Sequence, residues 1–369
     1  MMVHNVKFVD LFRAHEKIMP ELNEAIQQTI DASSFIGGSS VDEFEKDFSH
    51  FIGTRYCEGV ASGSDALYIS LKALDIGPGD EVIVPSFTFT ATVDAVVRNG
   101  ATPVFVDAGN NYNMDPEEFS KAITPRTKAV IPVHLYGNPA KLDEICEVAD
   151  DKGVLVIEDA AQSHGSRYKG KRVGSFGILS CYSFYPAKNL GAFGDGGAIC
   201  TNSSELDDRI RMIREYGQRK KYHHDFIGMN SRLDALQAAI LRVKLKHLDK
   251  WNSSRRKAAQ LYNEFLSGSS VELPEETESS EHIYHIYAIR AQHRDEMIRH
   301  LQNAGIATGI HYPIPVHNLN SYKGIGTRHK LDNSERFARE ELSLPMFPFI
   351  TEEEVEYVSE SVKKFTTEQ

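Results

Sequence analysis

Residues 180–200 read SCYSFYPAKNLGAFGDGGAIC, and this run decides how the rest of the chain is understood. A single lysine, Lys188, stands between a β-prone apolar run (Leu179, Cys181, Tyr182, Phe184, Tyr185) and a turn dense in glycine (Gly191, Gly194, Gly196, Gly197). Glycines so placed let backbone pass close to a bound group with no Cβ in the way. A lysine in such a place is open to desolvation, which lowers its pKa and frees an amine nucleophile. Schiff-base chemistry needs that amine. A lone lysine in a loop is equally a solvated surface charge, so the residues upstream decide between the two.

Two upstream stretches supply what pyridoxal phosphate requires besides an amine. GVLVIEDAAQSHG (153–165) reads as a buried strand ending in Glu158-Asp159. A carboxylate at the end of a parallel strand lies where α/β sheets bind ligands. There it pairs with a pyridinium nitrogen, as this cofactor demands of its protein; the bland alternative for Asp159 is a capping residue. GVASGSDALYISLKAL (59–74) reads as a short strand, a small-residue turn and an apolar helix. The turn Ser62-Gly63-Ser64-Asp65 offers free amides at a helix N-terminus, a ready phosphate site; Ser64 alone is equally an ordinary N-cap. Phosphate loop, strand-end acid and lysine follow one another in that order.

ASGSDAL, EDAAQSHG, SFYPAKNLGAFGDGGA and GMNSRLDALQAAIL resemble the DegT/DnrJ/EryC1/StrS sugar aminotransferases, a group within the fold-type I pyridoxal phosphate enzymes. The resemblance runs from about residue 6 to the C-terminus. It implies an α/β fold like that of aspartate aminotransferase, with a large, mixed, mainly parallel sheet domain and a smaller C-terminal αβ domain. Lys188 then matches the lysine that carries the cofactor, and Asp159 the pyridinium partner. Gln162 matches a contact on the phenolic side of the ring, and Phe89 the aromatic stacked over it. Ser183 joins Gly63, Ser64 and Asp65 around the phosphate, and Asn230 reaches it from the neighbouring subunit of a homodimer. Most members carry threonine where Ser64 stands; both side chains bear a hydroxyl. Phe89, in PSFTFTATVDAV (85–96), has core packing as its other reading, and Asn230-Ser231 is also a sound N-cap for a helix over 232–250.

The chain has 369 residues, enough for a large domain and a smaller one. The division is expected near residue 250, with 1–250 the cofactor-binding domain with its N-terminal helices and 251–369 the small domain. A hydrophobic content of 41% and a charged content of 25% are those of a soluble globule. A net charge of −11 argues against nonspecific nucleic-acid binding. No apolar run approaches the roughly 20 residues of a membrane span, and the N-terminus lacks a signal peptide's apolar region. A cytoplasmic location is therefore expected. Cys57, Cys146, Cys181 and Cys200 are widely spaced and give neither a zinc site nor a disulfide framework. GAFGDGGA lacks the strand-into-helix context of a dinucleotide fingerprint.

Helices are expected over 14–31 and 41–53, the latter with Val41, Phe44, Phe48 and Phe51 at helical spacing. From 57 to 201 short apolar strands alternate with helices, which calls for a mainly parallel sheet covered on both faces. The expected strands are 57–60, 81–84, 103–106, 128–133, 154–158, 179–184 and 197–201.

RKKYHHDFIGMNSR (219–232) gathers cations in an acidic protein, and guanidinium forks suit phosphate oxygens. A solvated basic loop is the alternative. The resemblance places this loop against a nucleotide-sugar across the dimer interface, with Lys221, Tyr222 and Arg232 toward the substrate. In IHYPIPVHN (310–318) it implies substrate contacts for His311 and Tyr312. His311 and His317 lack a companion carboxylate, and no metal site is assigned there. His164 reads as a sugar contact or, equally, as a satisfied core histidine. The resemblance implies transfer of an amino group from L-glutamate to a nucleotide-linked keto-sugar. KYHHDFIGMNSRLD, VHLYGNP and VKLKHLDKWN favour a dTDP-3-keto-6-deoxyhexose. The alternatives are a UDP-linked 3-keto-sugar, a 4-keto-sugar, or a non-catalytic sensor that binds the cofactor without turnover.

Overall fold

The computed structural model describes residues 5–326 and 330–367. Seven strands form the central sheet, in the spatial order Tyr56–Val60, Gly197–Thr201, Leu179–Ser183, Leu155–Asp159, Thr127–Val130, Glu81–Pro85 and Thr102–Val106. Gly197–Thr201 runs antiparallel to both of its neighbours; the remaining pairs are parallel. The strands are nearly continuous apolar runs because helices cover both faces. On one side, helices Gly63–Ala73 and Ala91–Arg98 pack Leu67, Ile69, Leu71, Val93 and Val96 against the sheet.

On the other side, helix Ser39–Ile52 buries Val41, Phe44, Phe48 and Ile52. Phe48 meets Tyr182 edge-on at 4.9 Å, and both Phe44 and Phe48 meet Phe184 edge-on at 5.4 Å. Edge-to-face packing of this kind fixes ring positions as well as burying area. These rings therefore brace the strand that leads into Lys188. Phe51, at the next helical position, lies instead beneath the Arg172 guanidinium, 3.7 Å from its centroid.

Several element boundaries differ from the expected ones. The single helix over 14–31 is three pieces, Phe12–His15, a 3-10 turn Glu16–Ile18, and Met19–Asp31. Pro20 explains the break: it lacks an N–H and is tolerated only in a helix's first turn, where it stands. The strand expected over 128–133 stops at Val130, short of Pro132. Pro132 cannot donate, but its carbonyl accepts from the Asp159 amide at 2.9 Å. The helix expected over 232–250 starts at Ala235 and ends at Leu245, and a second one, Leu248–Phe265, follows. Residues 230–234 are held extended by an Ile36–Asp234 bridge and an Ala235 N–H bond to the Phe35 carbonyl. Asn230-Ser231 is thus no N-cap, and that position belongs to Asp234.

Helix Leu248–Phe265 runs through residue 250 and serves two cores. Leu248 packs with Phe44, Phe48 and Tyr182. Ala258, Ala259 and Tyr262 pack with Tyr287, Met297, Leu301, Leu342 and Val358. The latter residues come from the antiparallel pair Tyr287–Arg290 and Glu341–Leu344, helix Arg294–Asn303 and the closing helix Glu352–Thr367. Val6 of the N-terminal arm joins this second core and exchanges backbone bonds with Gly305 and Ala307. Among the described residues, no helix is long and apolar enough to cross a membrane.

Because Phe48 is fully buried between two rings of the central strand, Phe48→Ala leaves a cavity there. A loss of about 3–5 kcal/mol is expected, read as a lower urea midpoint with an unchanged m-value.

Candidate active site

At the carboxyl ends of the parallel strands the chain encloses a cavity of about 420 Å³. Lys188 lies on its wall, half-buried, with its backbone N–H on the Tyr185 carbonyl at 2.8 Å. Burial pushes its ammonium down to about 8, against the opposing pull of the Asp159 charge. Asp159 ends its strand beside it. One carboxylate oxygen accepts from Thr92 Oγ1 at 2.9 Å and the other from the Ala161 N–H at 3.1 Å. Burial raises its carboxyl, while those two bonds and Lys188 pull it down. Thr92 is in turn 3.3 Å from Thr88 Oγ1, so a chain of hydroxyls fixes the carboxylate's orientation.

Opposite stands the N-terminus of helix Gly63–Ala73, where Ser62, Gly63 and Ser64 line the cavity. Ser62, not Ser64, is the cap: its Oγ accepts from the Asp65 N–H at 3.1 Å. A Cβ on Gly63 would lie 2.6 Å from the Ser183 Cβ, and one on Gly197 would lie 2.4 Å from the Ser62 carbonyl carbon. Glycine at both places lets three backbone segments converge on one point. The amides of the helix's first turn and the Ser183 hydroxyl give that point the chemistry that suits a phosphate.

Phe89 is half exposed over the cavity, 5.7 Å from the Tyr312 ring. Gln162 accepts from the Tyr136 N–H at 2.7 Å and donates to Tyr312 Oη at 3.2 Å. His311 lines the same wall, kept largely neutral because burial and then Lys188 push it down to about 4.

Six expected site residues do not line this cavity. The Asp65 carboxylate accepts from Ser231 Oγ at 2.7 Å and does not line the cavity. That arrangement also keeps a negative charge turned from the phosphate position. His164 is wholly buried between Tyr182 and Phe184, and burial, with the Lys188 charge, keeps it neutral. It takes the core reading, although among the described residues neither ring nitrogen has a hydrogen-bond partner. Tyr222 is 79% exposed at the tip of the ribbon Gln218–Lys220 with His223–His224, and Lys221 lies over its ring.

Asn230 and Arg232 line a neighbouring cavity of about 470 Å³, which shares Asp195 with the first. Arg232 Nε donates to Asn230 Oδ1 at 3.0 Å. Sequence reasoning passed over Thr88, Thr92, Tyr185, Asp195 and His285, all of them lining the first cavity. Thr88 and Thr92 carried a usable signal, two hydroxyls four residues apart entering a helix after a strand. His285 carried none.

A phosphate site, a buried carboxylate and a half-buried amine around one cavity suit a flat, phosphorylated, nitrogen-containing cofactor; among the described residues, no cluster fits a metal ion. The fold and site define an aminotransferase of the fold-type I class that uses pyridoxal phosphate. The chain belongs to the DegT/DnrJ/EryC1/StrS aminotransferase family, whose model matches residues 16–363. It is 44% identical to the pleiotropic regulatory protein of Geobacillus stearothermophilus, over 98% of each chain. It is also 44% identical to the dTDP-3-amino-3,4,6-trideoxy-alpha-D-glucose transaminase of Streptomyces venezuelae, over 98% of this chain and 96% of that one. The crystal structure of S. venezuelae DesV in complex with a ketimine intermediate superposes with a TM-score of 0.95, at 44% identity and 98% coverage of both chains.

Reaction of Lys188 in the cofactor-free protein with an amine reagent, followed by peptide mass spectrometry, is expected to rise with pH around a midpoint of about 8. Asp159→Asn removes the charge that favours the ammonium, so the midpoint is expected to move lower. A midpoint near the ordinary lysine value in both proteins contradicts the burial described here.

Proposed function

We propose that the protein moves the amino group of L-glutamate to a nucleotide-linked keto-sugar. The sugar we favour is a dTDP-3-keto-6-deoxyhexose, giving the dTDP-3-amino-3,6-dideoxyhexose. The observation that carries the reading is the placement of Lys188 beside Asp159 on the wall of a cavity that faces a free helix N-terminus.

Pyridoxal phosphate bound there supplies an electron sink for the pair left behind when a carbon next to nitrogen loses its proton. Ser62, Gly63, Ser64 and Ser183 would hold its phosphate, Phe89 would face its ring, and Asp159 would keep a proton on the ring nitrogen. Lys188, once free, takes a proton from Cα of the donor and in the second stage delivers one to the sugar carbon that receives nitrogen. An amine with a pKa of about 8 does both near neutral pH. Tyr312, Gln162 and His311 line the same cavity, Gln162 toward the phenolic side of the ring and Tyr312 and His311 toward the substrate in this reading.

The partner subunit of a homodimer completes the site in this reading. Phe35, Ile36, Tyr185, Phe193 and Ile227 leave large apolar surface exposed, and Ile36 and Asn230 share the second cavity. Lys221, Tyr222, Asn230 and Arg232 do not line their own chain's first cavity, which supports a role toward the partner's. A UDP-sugar fits the same cation set, since the guanidinium reads the diphosphate and not the base. The cytoplasm is the proposed location.

One relative bears the name of a pleiotropic regulatory protein, which favours a second reading as a cofactor-binding regulator. A visible spectrum separates the two. With added pyridoxal phosphate the protein is expected to show an absorbance band that Lys188→Ala lacks. L-Glutamate is expected to bleach it, and a dTDP-3-keto-sugar to restore it faster than a 4-keto-sugar. A band that ignores glutamate points to the regulator; no band in wild type sinks both.

A further inference from the structure

Glu341 opens the strand Glu341–Leu344 beneath the pocket wall, and its side chain is completely buried. Oε2 accepts the His311 backbone N–H at 2.6 Å, and Oε1 lies 2.5 Å from Ser343 Oγ. The same Ser343 oxygen is 2.9 Å from His311 Nδ1. A carboxyl, a hydroxyl and an imidazole therefore stand in a row. Nε2, the other ring nitrogen, has no partner in the chain among the described residues, and the His311 side chain lines the cavity.

A hydroxyl has one proton to donate, so the row has two consistent settings. With Glu341 ionised, Ser343 donates to the carboxylate and accepts from Nδ1–H, which leaves Nε2 a bare acceptor. With Glu341 protonated, the carboxyl donates to Ser343, Ser343 donates to Nδ1, and the ring proton moves to Nε2. We infer that Glu341, acting through Ser343, is a positioning residue that sets which nitrogen of His311 carries the proton, and so whether the wall offers a substrate hydroxyl an acceptor or a donor. The inference rests on the reading of this cavity as the amino-transfer site.

The surroundings make Glu341 the group that titrates. Burial lifts its carboxyl to about 7, although Ser343, the His311 N–H and Arg294 all favour the carboxylate. Arg294, Tyr136, Tyr112 and Tyr312 are the other ionisable groups facing it, and burial raises all three phenols. Lys188 and His285 face His311, and the Phe8 ring is stacked on it at 5.6 Å. His311 itself is pushed down to about 4, so near neutral pH its ring exchanges tautomers without acquiring charge.

The test is nitrogen NMR of 15N-histidine-labelled protein with pyridoxal phosphate added, the His311 signals being assigned by their loss in His311→Asn. In wild type the protonated and bare nitrogens of His311 are expected to exchange places as pH passes through about 7. Glu341→Gln offers its carbonyl to the His311 N–H and its amide N–H to Ser343. It is expected to hold Nε2–H at every pH. Should that variant not fold, Ser343→Ala is read instead, and loss of the pH-dependent exchange supports the relay. Wild type with one tautomer throughout, or either variant with an unaltered exchange, overturns it. The visible band and its bleaching by glutamate are scored on the same samples, so failure of amino transfer is seen separately from failure of the relay.

Discussion

Everything at this site depends on holding a half-buried lysine and a buried aspartate side by side. Burial disfavours the charged form of each, and each charge partly offsets the other's penalty. The balance is uneven. Asp159 also has a backbone amide and the Thr92 hydroxyl, whereas among the described residues the only favourable influence acting on the Lys188 ammonium is the aspartate itself. The amine is therefore the group that yields. Its ammonium loses its proton close to neutrality, while the carboxylate stays fixed by bonds it does not share with the lysine.

That asymmetry has a structural origin. Asp159 sits on a strand whose edges are both paired, between Thr127–Val130 and Leu179–Ser183, and so it has little freedom. Lys188 lies in a loop, but the Leu179–Ser183 strand before it is braced by the phenylalanines of helix Ser39–Ile52. The phosphate end is built by close approach, with Gly63 against Ser183 and Gly197 against Ser62. A side chain at either glycine would push apart the segments that form the anion site.

The sheet, the order of its elements and the Lys188, Asp159 and Gly63-Ser64 positions were legible because each leaves a local trace. An apolar strand run ends in an acid, a small-residue turn precedes an apolar helix, and glycines cluster after a lysine. Boundaries were lost where tertiary bonds overrode local pattern, as at Asn230-Ser231, where pairing with Ile36 keeps the chain extended. Asp65 was misplaced and the two readings of His164 stayed unseparated because neighbours in sequence point to opposite sides of a helix turn or strand end. Which side faces the ligand follows from partners such as Ser231 and Phe184, which lie far along the chain. Glu341 and Ser343 were invisible for the same reason, since they meet His311 only across a strand and a loop.

The reversed strand Gly197–Thr201 has a consequence for motion. It pairs along its whole length with Leu179–Ser183, so the loop carrying Lys188 leaves and re-enters the sheet at one edge, between adjacent strands. A loop pinned at neighbouring points has little closure entropy to recover by loosening. Moving the loop bodily away from the sheet means unzipping two interior strands, a sub-global event and not a surface fluctuation. Amides at the base of this loop should then exchange as slowly as those of the core, and Lys188 is carried by one of the most persistent parts of the molecule.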